Sequence, residues 1–190
     1  MNLAKLLYQC RNWRAHWRAL YLGSYSVVEG ALARALGGGA DRVTMRGEVA
    51  AKIIRADGRA VDLGCIGKRV VTNAGVTYMR DDFNDAAGDI NAFNQHDSGT
   101  GTVAEAVGDT ALGAAAGPAR VAGTKSVPAA NQYRTVATIA YTATLAITEH
   151  GLFSAAAAGT LWDRTVFAAI NVVSGDSIQF TYTLTINAGG

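Results

Sequence analysis

Three histidines, His16, His96 and His150, and fifteen aspartates and glutamates carry most of the chemical reach of this 190-residue sequence. Two nucleophile–base pairs suggest themselves, Ser98 with His96 and Ser154 with His150. A catalytic triad needs groups that converge from separate elements, and neighbours along one segment rarely supply it. The expectation is therefore a chain that is not an enzyme, with His96 hydrogen-bonded in an acidic loop and His150 in a Glu149-His150-Gly151 turn. Asp81, Asp82, Asp85, Asp89, Asn91 and Asp97 present hard oxygens of the kind calcium takes, but their spacing departs from an EF-hand loop. On a helix Asp81 and Asp85 would share a face while Asp82 would not. Asp81, Asp85 and Asp89 are thus weak metal candidates, and a solvated acidic edge is the favoured reading. Gly99-Thr100-Gly101 lacks the third glycine and the strand-to-helix context of a dinucleotide loop, and no Walker-type lysine follows any glycine run. No cofactor is expected. Cys10 and Cys65 lie in unlike contexts, define neither a disulfide framework nor a zinc site, and read as buried thiols.

The elements that must position these groups fall into two parts. In residues 3–20, Leu3, Leu6, Cys10, Trp13, Trp17 and Leu20 recur in steps of three and four, which is one stripe of a helix. Arg11, Arg14 and Arg18 rim that stripe. The same residues could pair phosphates and stack on bases, but docking on another protein is the favoured reading, with an interfacial membrane helix third. Polar and basic residues interrupt the segment too often for a signal peptide or membrane span, so synthesis in a cytoplasm is expected. A second helix is signalled by the capping box Ser26 to Glu29, followed by Val28, Leu32 and Leu36 and ended by Gly37-Gly38-Gly39. Residues 1–39 form a helical docking arm on this reading.

Residues 45–190 form the second part. Nearly half of the sequence is apolar (49%) and 17% is charged, so a sizeable core can be buried, and a net charge of +2 says little about partners. Glu48–Arg55 and Ala60–Ile66 read as a hairpin across Asp57-Gly58. Thr72 or Asn73 caps a short helix with Val76, Met79 and Phe83 on one face. A long acidic surface loop is expected from there to Gly101. The odd positions from Ala137 to Ile147 read as one half-buried strand, and Ile178, Phe180, Tyr182, Leu184 and Ile186 as another, joined through Ser174-Gly175-Asp176 to an apolar strand around Val166–Val173. The expected fold is mainly β: an antiparallel β-sandwich or jelly-roll-like domain with one short helix, preceded by the helical N-terminal arm. Leu152, Phe153, Leu161, Trp162 and Phe167 read as core or as large anchors for a partner. Glu149 and Arg164 could pair beneath a turn, an interaction worth little if exposed and costly to break if buried.

The segments RADGRAVDLG (55–64), VVTNAGVTYM (70–79), HDSGTGTVAEAVGDTAL (96–112), AITEHGLFSAAAAGTLWDRTVF (146–167) and GDSIQFTYTLTI (175–186) resemble those of small virion structural proteins of tailed bacteriophages. The resemblance spans about residues 45–190, and the arm is additional to it. It implies a β-rich domain that packs repeatedly on a phage head, neck or tail, with no catalytic residues to carry over. The expected function is capsid decoration or cement, reinforcing the head through subunit contacts. The alternatives are a neck, connector or tail component, and a receptor- or glycan-binding module using Trp162, Tyr141 and Tyr182. Expected partners are other virion proteins, above all the major capsid protein, and neighbouring copies of the chain in a homo-oligomer. The expected location is the virion, after synthesis in the bacterial host cytoplasm.

Overall fold

A computed structural model of the protein describes residues 43–68, 70–83 and 89–188. The arm of residues 1–39, with its partner-binding candidates Leu3, Leu6, Arg11, Trp13, Arg14, Trp17, Arg18 and Leu20, lies outside the described residues, as does Asp85. What is described is mainly β, with ten strands in two antiparallel five-stranded sheets and one α-helix. In chain order these are β1 Thr44–Ile54, β2 Ala60–Lys68, β3 Val70–Val71, α1 Asn73–Phe83, a 3-10 turn Ile90–Ala92, β4 Gln95–Gly99, β5 Val121–Ala122, β6 Thr124–Ser126, β7 Gln132–Ala140, β8 Leu145–Phe153, β9 Leu161–Val172 and β10 Ser177–Asn187. One sheet has the order β2-β1-β10-β7-β6 and the other β3-β9-β8-β4-β5.

The first and last strands pair along their whole length, from Thr44 opposite Asn187 to Ile54 opposite Ser177. Alternation then decides what faces inward. Val49, Ala51 and Ile53 of β1 and Ile178, Phe180, Tyr182 and Leu184 of β10 are buried, while Ile186 near the end of β10 is not. Ile147, Phe167, Ile170 and Val172 of the other sheet join β1, β7 and β10 side chains in a single cluster, so the two sheets face one another across an apolar layer. The hairpin between β1 and β2 turns at Asp57-Gly58, where Gly58 adopts φ +84°, a conformation that glycine reaches without a Cβ clash.

Several expectations need correction. The alternating run from Ala137 to Ile147 is two strands in different sheets. At Tyr141 the chain leaves β10 and bonds the β9–β10 turn instead, its amide donating to the Asp176 carbonyl at 2.9 Å and its carbonyl accepting from the Gly175 amide at 2.9 Å. The period of two survives the crossing because Tyr141 keeps its ring in the core. Likewise, the Ser174-Gly175-Asp176 turn joins strands of opposite sheets. The expected surface loop contains β4, whose residues His96 to Gly99 are buried between β8 and β5. The Glu149-His150-Gly151 turn is the buried middle of β8. Cys65, expected inside, is exposed on β2.

Helix α1 is capped as expected by Thr72. Its Oγ1 accepts from the Gly75 amide at 3.0 Å and donates to the Leu161 carbonyl at 2.6 Å, so the cap also fastens the helix to β9. Of Val76, Met79 and Phe83, expected on one apolar face, only Met79 docks. Gly75 lies so close to β9 that a Cβ there would sit 2.7 Å from the Trp162 carbonyl oxygen, and Tyr78 and Met79 pack beside it on Phe93 and Trp162. Val76 and Phe83 stay exposed.

Asp176 fastens the turns at one end of the molecule. Its carboxylate accepts from the amides of Val173 and Ala56 and from the Arg55 guanidinium, all at 2.9–3.0 Å. The Val173 amide foremost, then Arg55 and the Ala56 amide, hold the carboxyl below its ordinary value against the opposing effect of burial. A carboxyl lowered on folding stabilises the fold above its unfolded value, about pH 4, and that contribution is lost as pH falls through the folded value. Asp176→Asn should therefore lower the thermal midpoint at pH 7, and its deficit relative to wild type should shrink at pH 3; thermal unfolding at the two pH values checks both.

Candidate functional site

Alternation along β4, β8 and β9 sorts the polar side chains of one sheet onto two faces. His96 and Ser98 of β4 and His150 of β8 point toward the opposite sheet. His96 Nδ1 lies 3.0 Å from His150 Nε2, and His96 Nε2 lies 3.1 Å from Thr135 Oγ1 of β7. The His150 ring packs on Phe180 of β10, with centroids 4.5 Å apart. Beside them Ser98 Oγ is hydrogen-bonded to Tyr141 Oη at 3.0 Å. Burial pushes the Tyr141 hydroxyl up to about 12, so it stays protonated as a donor. These contacts form a polar bridge through the apolar layer, from two strands of one sheet to β7 and the start of the crossover.

The opposite face carries Glu149 and Arg164. Glu149 is wholly buried, and its carboxylate accepts from the amides of Gly101 (3.0 Å), Gly113 (2.9 Å) and Ala114 (2.8 Å). Arg164 approaches it at 2.7 Å and donates also to Asp109 at 2.9 Å and to the Val103 carbonyl at 3.0 Å. Segment 100–116 is thereby folded over β8 and β9 around one carboxylate. Gly101 permits the approach, since a Cβ there would fall 2.4 Å from Glu149 Oε1. Burial alone would raise the Glu149 carboxyl. The amides of Ala114 and Gly113, the Arg164 guanidinium and the Gly101 amide outweigh it and hold the group below the usual carboxylate range. In Asp109 burial is likewise outweighed, by the Ala106 amide and Arg164, while its two carboxylates raise the Arg164 value against burial.

A third cluster closes the rim. Arg120 donates to Asp97 at 3.1 Å and to the Ala155 and Ala158 carbonyls, with its guanidinium carbon 3.4 Å from the centroid of Phe153. Such a stacked, desolvated guanidinium contributes more than an exposed ion pair.

The side chains of the two serine–histidine pairs set aside at the outset take other partners. Ser98 meets Tyr141, Ser154 Oγ accepts from the Thr160 amide, and the two histidines meet each other. The pairing of Glu149 with Arg164 is as expected from the sequence, in buried form. Leu152, Phe153, Leu161, Trp162 and Phe167 are core. Trp162 Nε1 donates to Tyr182 Oη at 2.8 Å, and with Trp162, Tyr141 and Tyr182 all buried no ring of that set can stack on a sugar. Asp81 pairs with Arg80, and Asp89 caps the 3-10 turn through the Asn91 amide, so their carboxylates serve separate local contacts. Among the described residues no three His, Cys, Asp or Glu side chains are grouped to hold a metal, and no helix is long and apolar enough to cross a membrane. Sequence reasoning missed Thr135, Asp109, Arg120 and the meeting of His96 with His150. The sequence offered one signal for the last, two histidines each embedded in a short polar run flanked by glycine.

The open surface differs in kind. A shallow groove is lined by Ile53, Arg55, Val61 and Leu63 of the β1–β2 hairpin and by Ala169, Ile170 and Asn171 of β9. Val61 and Leu63 share one side of β2 with the buried Ile53 of β1, yet remain about half and two-fifths exposed (49% and 39%).

Arg164→Met leaves the Glu149 carboxylate buried without its cation and should cost about 3–5 kcal/mol of stability; Glu149→Gln should cost less, since Arg164 keeps Asp109 and the Val103 carbonyl. Because both act on one network, the double variant should lose less than the sum of the two. Denaturant unfolding of the four proteins measures this. No protein family model, no curated protein and no solved structure matches the chain.

Proposed function

We propose that this chain is a non-catalytic structural protein of a tailed-phage particle, a β-sandwich that decorates and reinforces the capsid through contacts with the major capsid protein and with its own neighbouring copies. Support comes first from the resemblance of segments 55–64, 70–79, 96–112, 146–167 and 175–186 to small virion proteins. One observation carries it further. His96, His150, Ser98, Glu149 and Arg164, the side chains best suited to chemistry, are each no more than 3% exposed and brace one sheet against the other or against its covering segment. Polar groups used this way specify a rigid shape instead of acting on a substrate.

What the domain leaves outside suits assembly. Strand β2 is a sheet edge, and its own apolar side chains Val61 and Leu63 are partly uncovered. Edges of this kind are what proteins cover or pair when they assemble. The arm of residues 1–39, with its Leu3–Leu20 stripe, extends the contact in this reading, each copy adding interface without adding chemistry.

Quantitative mass spectrometry of purified particles tests the proposal. Hundreds of copies per virion are expected of a shell protein. Six or twelve would move it to the neck or tail, and absence from intact particles would remove it from the virion. A chain beginning at Ala40 should fold with unchanged thermal midpoint and bind particles more weakly; an unfolded product would make the arm part of the core.

A further inference from the structure

We infer that two copies of this chain meet along β2, antiparallel, about a two-fold axis at Cys65. This register deepens the assembly reading proposed above and rests on it only in taking the partner to be a second copy of the chain. Strand β2 is the longer free edge of its sheet, and its six residues from Ala60 to Cys65 are exposed in succession. A strand packed in a sandwich hides every other residue. Over this stretch β2 is therefore open on the side of the opposite sheet as well as along its edge. Val61 and Leu63 leave apolar area there (49% and 39% exposed) of the kind that a flanking strand covers.

What selects a second copy is the pattern of charge and spacing about the middle of the strand. Asp62 stands opposite Lys52 of β1, Cys65 opposite Ala50 and Lys68 opposite Glu48. Because Lys52, Ala50 and Glu48 alternate with the buried Ile53, Ala51 and Val49, all three β2 side chains lie on the outer face of the sheet. They recur every third residue because the register with β1 shifts once on each side of Cys65, passing over Leu63 and Ile66. The strand is thus symmetric about Cys65 in spacing and opposite in charge, with an acid before it and a base after it. When a second β2 runs antiparallel with Cys65 opposite Cys65, Asp62 of each copy stands opposite Lys68 of the other. Across the joint the outer face then reads Lys52, Asp62, Lys68 and Glu48 from one β1 to the other, alternating in sign, and the two-fold axis repeats the row. Asp62 accepts from the Gly64 amide through one oxygen, at 2.8 Å, which leaves the second oxygen for a cation. Cys65 is exposed and marks the axis.

The test uses the full chain carrying Cys10→Ser, so that one thiol reports. Sedimentation over a concentration series should show self-association. Diamide, which takes up two hydrogens as a pair of thiols joins, should link Cys65 to Cys65 of the second copy, because directly opposite residues of antiparallel strands stand within disulfide reach. Asp62→Lys and Lys68→Asp each turn two cross-strand pairs into like charges, by symmetry, and should weaken association by on the order of tenfold. Both positions are exposed, Lys68→Asp leaves the bond to the Gly64 amide in place, and thermal unfolding checks that each variant is folded. Mixed together, the two variants set lysine against aspartate at both ends of the joint and should recover most of the lost affinity. So should the doubly exchanged chain. Association that ignores both reversals, a mixture that pairs no better than its components, a chain that stays monomeric throughout, or failure of Cys65 to link would each overturn the inference. These outcomes are independent of the particle: a chain missing from virions can still pair along β2. Variants that bind particles less while the unsubstituted chain stays monomeric would keep the assembly reading and overturn this one.

Discussion

A carboxylate with no access to water must be met on every side, and the placement of Glu149 at the centre of β8 imposes that demand on the rest of the sheet. Three amides and one guanidinium meet it, and all three amides come from the segment after β4. A stretch of sequence without periodicity is thus given a fixed course. Thr100 donates to the Ala114 carbonyl at 2.8 Å, Ala116 donates to the Ser98 carbonyl at 2.9 Å, and the chain doubles back along β4 before reaching β5. Arg164 carries the constraint onward to Asp109 and Val103. Removing the charge removes the reason for this segment to lie where it does.

The inner face follows the same logic with neutral partners. The apolar layer from Val49, Ile53, Ile178 and Phe180 to Ile147, Phe167 and Val172 supplies the bulk of the driving force. Apolar contact is tolerant of sliding, whereas hydrogen bonds are not. His150 to His96 to Thr135, and Ser98 to Tyr141, each require one relative position of β4, β8 and β7. A shift of β4 by one residue would turn Asp97 into the core and His96 out of it. Each neutral bond contributes only about 1 kcal/mol, so their effect is on uniqueness more than on stability.

How much of this was legible in the sequence depends on whether a residue's surroundings are local. The β1–β2 hairpin, the cap at Thr72 and the inward set of β10 follow from turn chemistry and a period of two, and each stands where the sequence places it. The ion pair of Glu149 and Arg164 is legible as two opposite charges about a turn, while their placement within two neighbouring strands is not. Strand β4 was missed because Gln95, His96, Asp97, Ser98 and Gly99 contain no apolar residue, and polarity was read as exposure; their partners come from residues 23 to 54 positions away. The run from Ala137 to Ile147 was read as one strand because alternation reports which way a side chain points and is silent on which sheet carries it. Of the expected face of α1 only Met79 docks, since the approach to β9 is set by the absence of a side chain at Gly75.

The buried polar groups His96, His150, Ser98, Glu149 and Arg164 fix the relative positions of the strands and of the segment between β4 and β5. That view stands or falls on Glu149 as an organiser. Residue-resolved hydrogen exchange at neutral pH, comparing the full chain with its Glu149→Gln form, is the most direct measurement. Amides of Gly101, Gly113 and Ala114 should be protected as strongly as those of β8 and β9 in the native chain and lose that protection selectively in the variant. Fast exchange at these three amides in the native chain would contradict it.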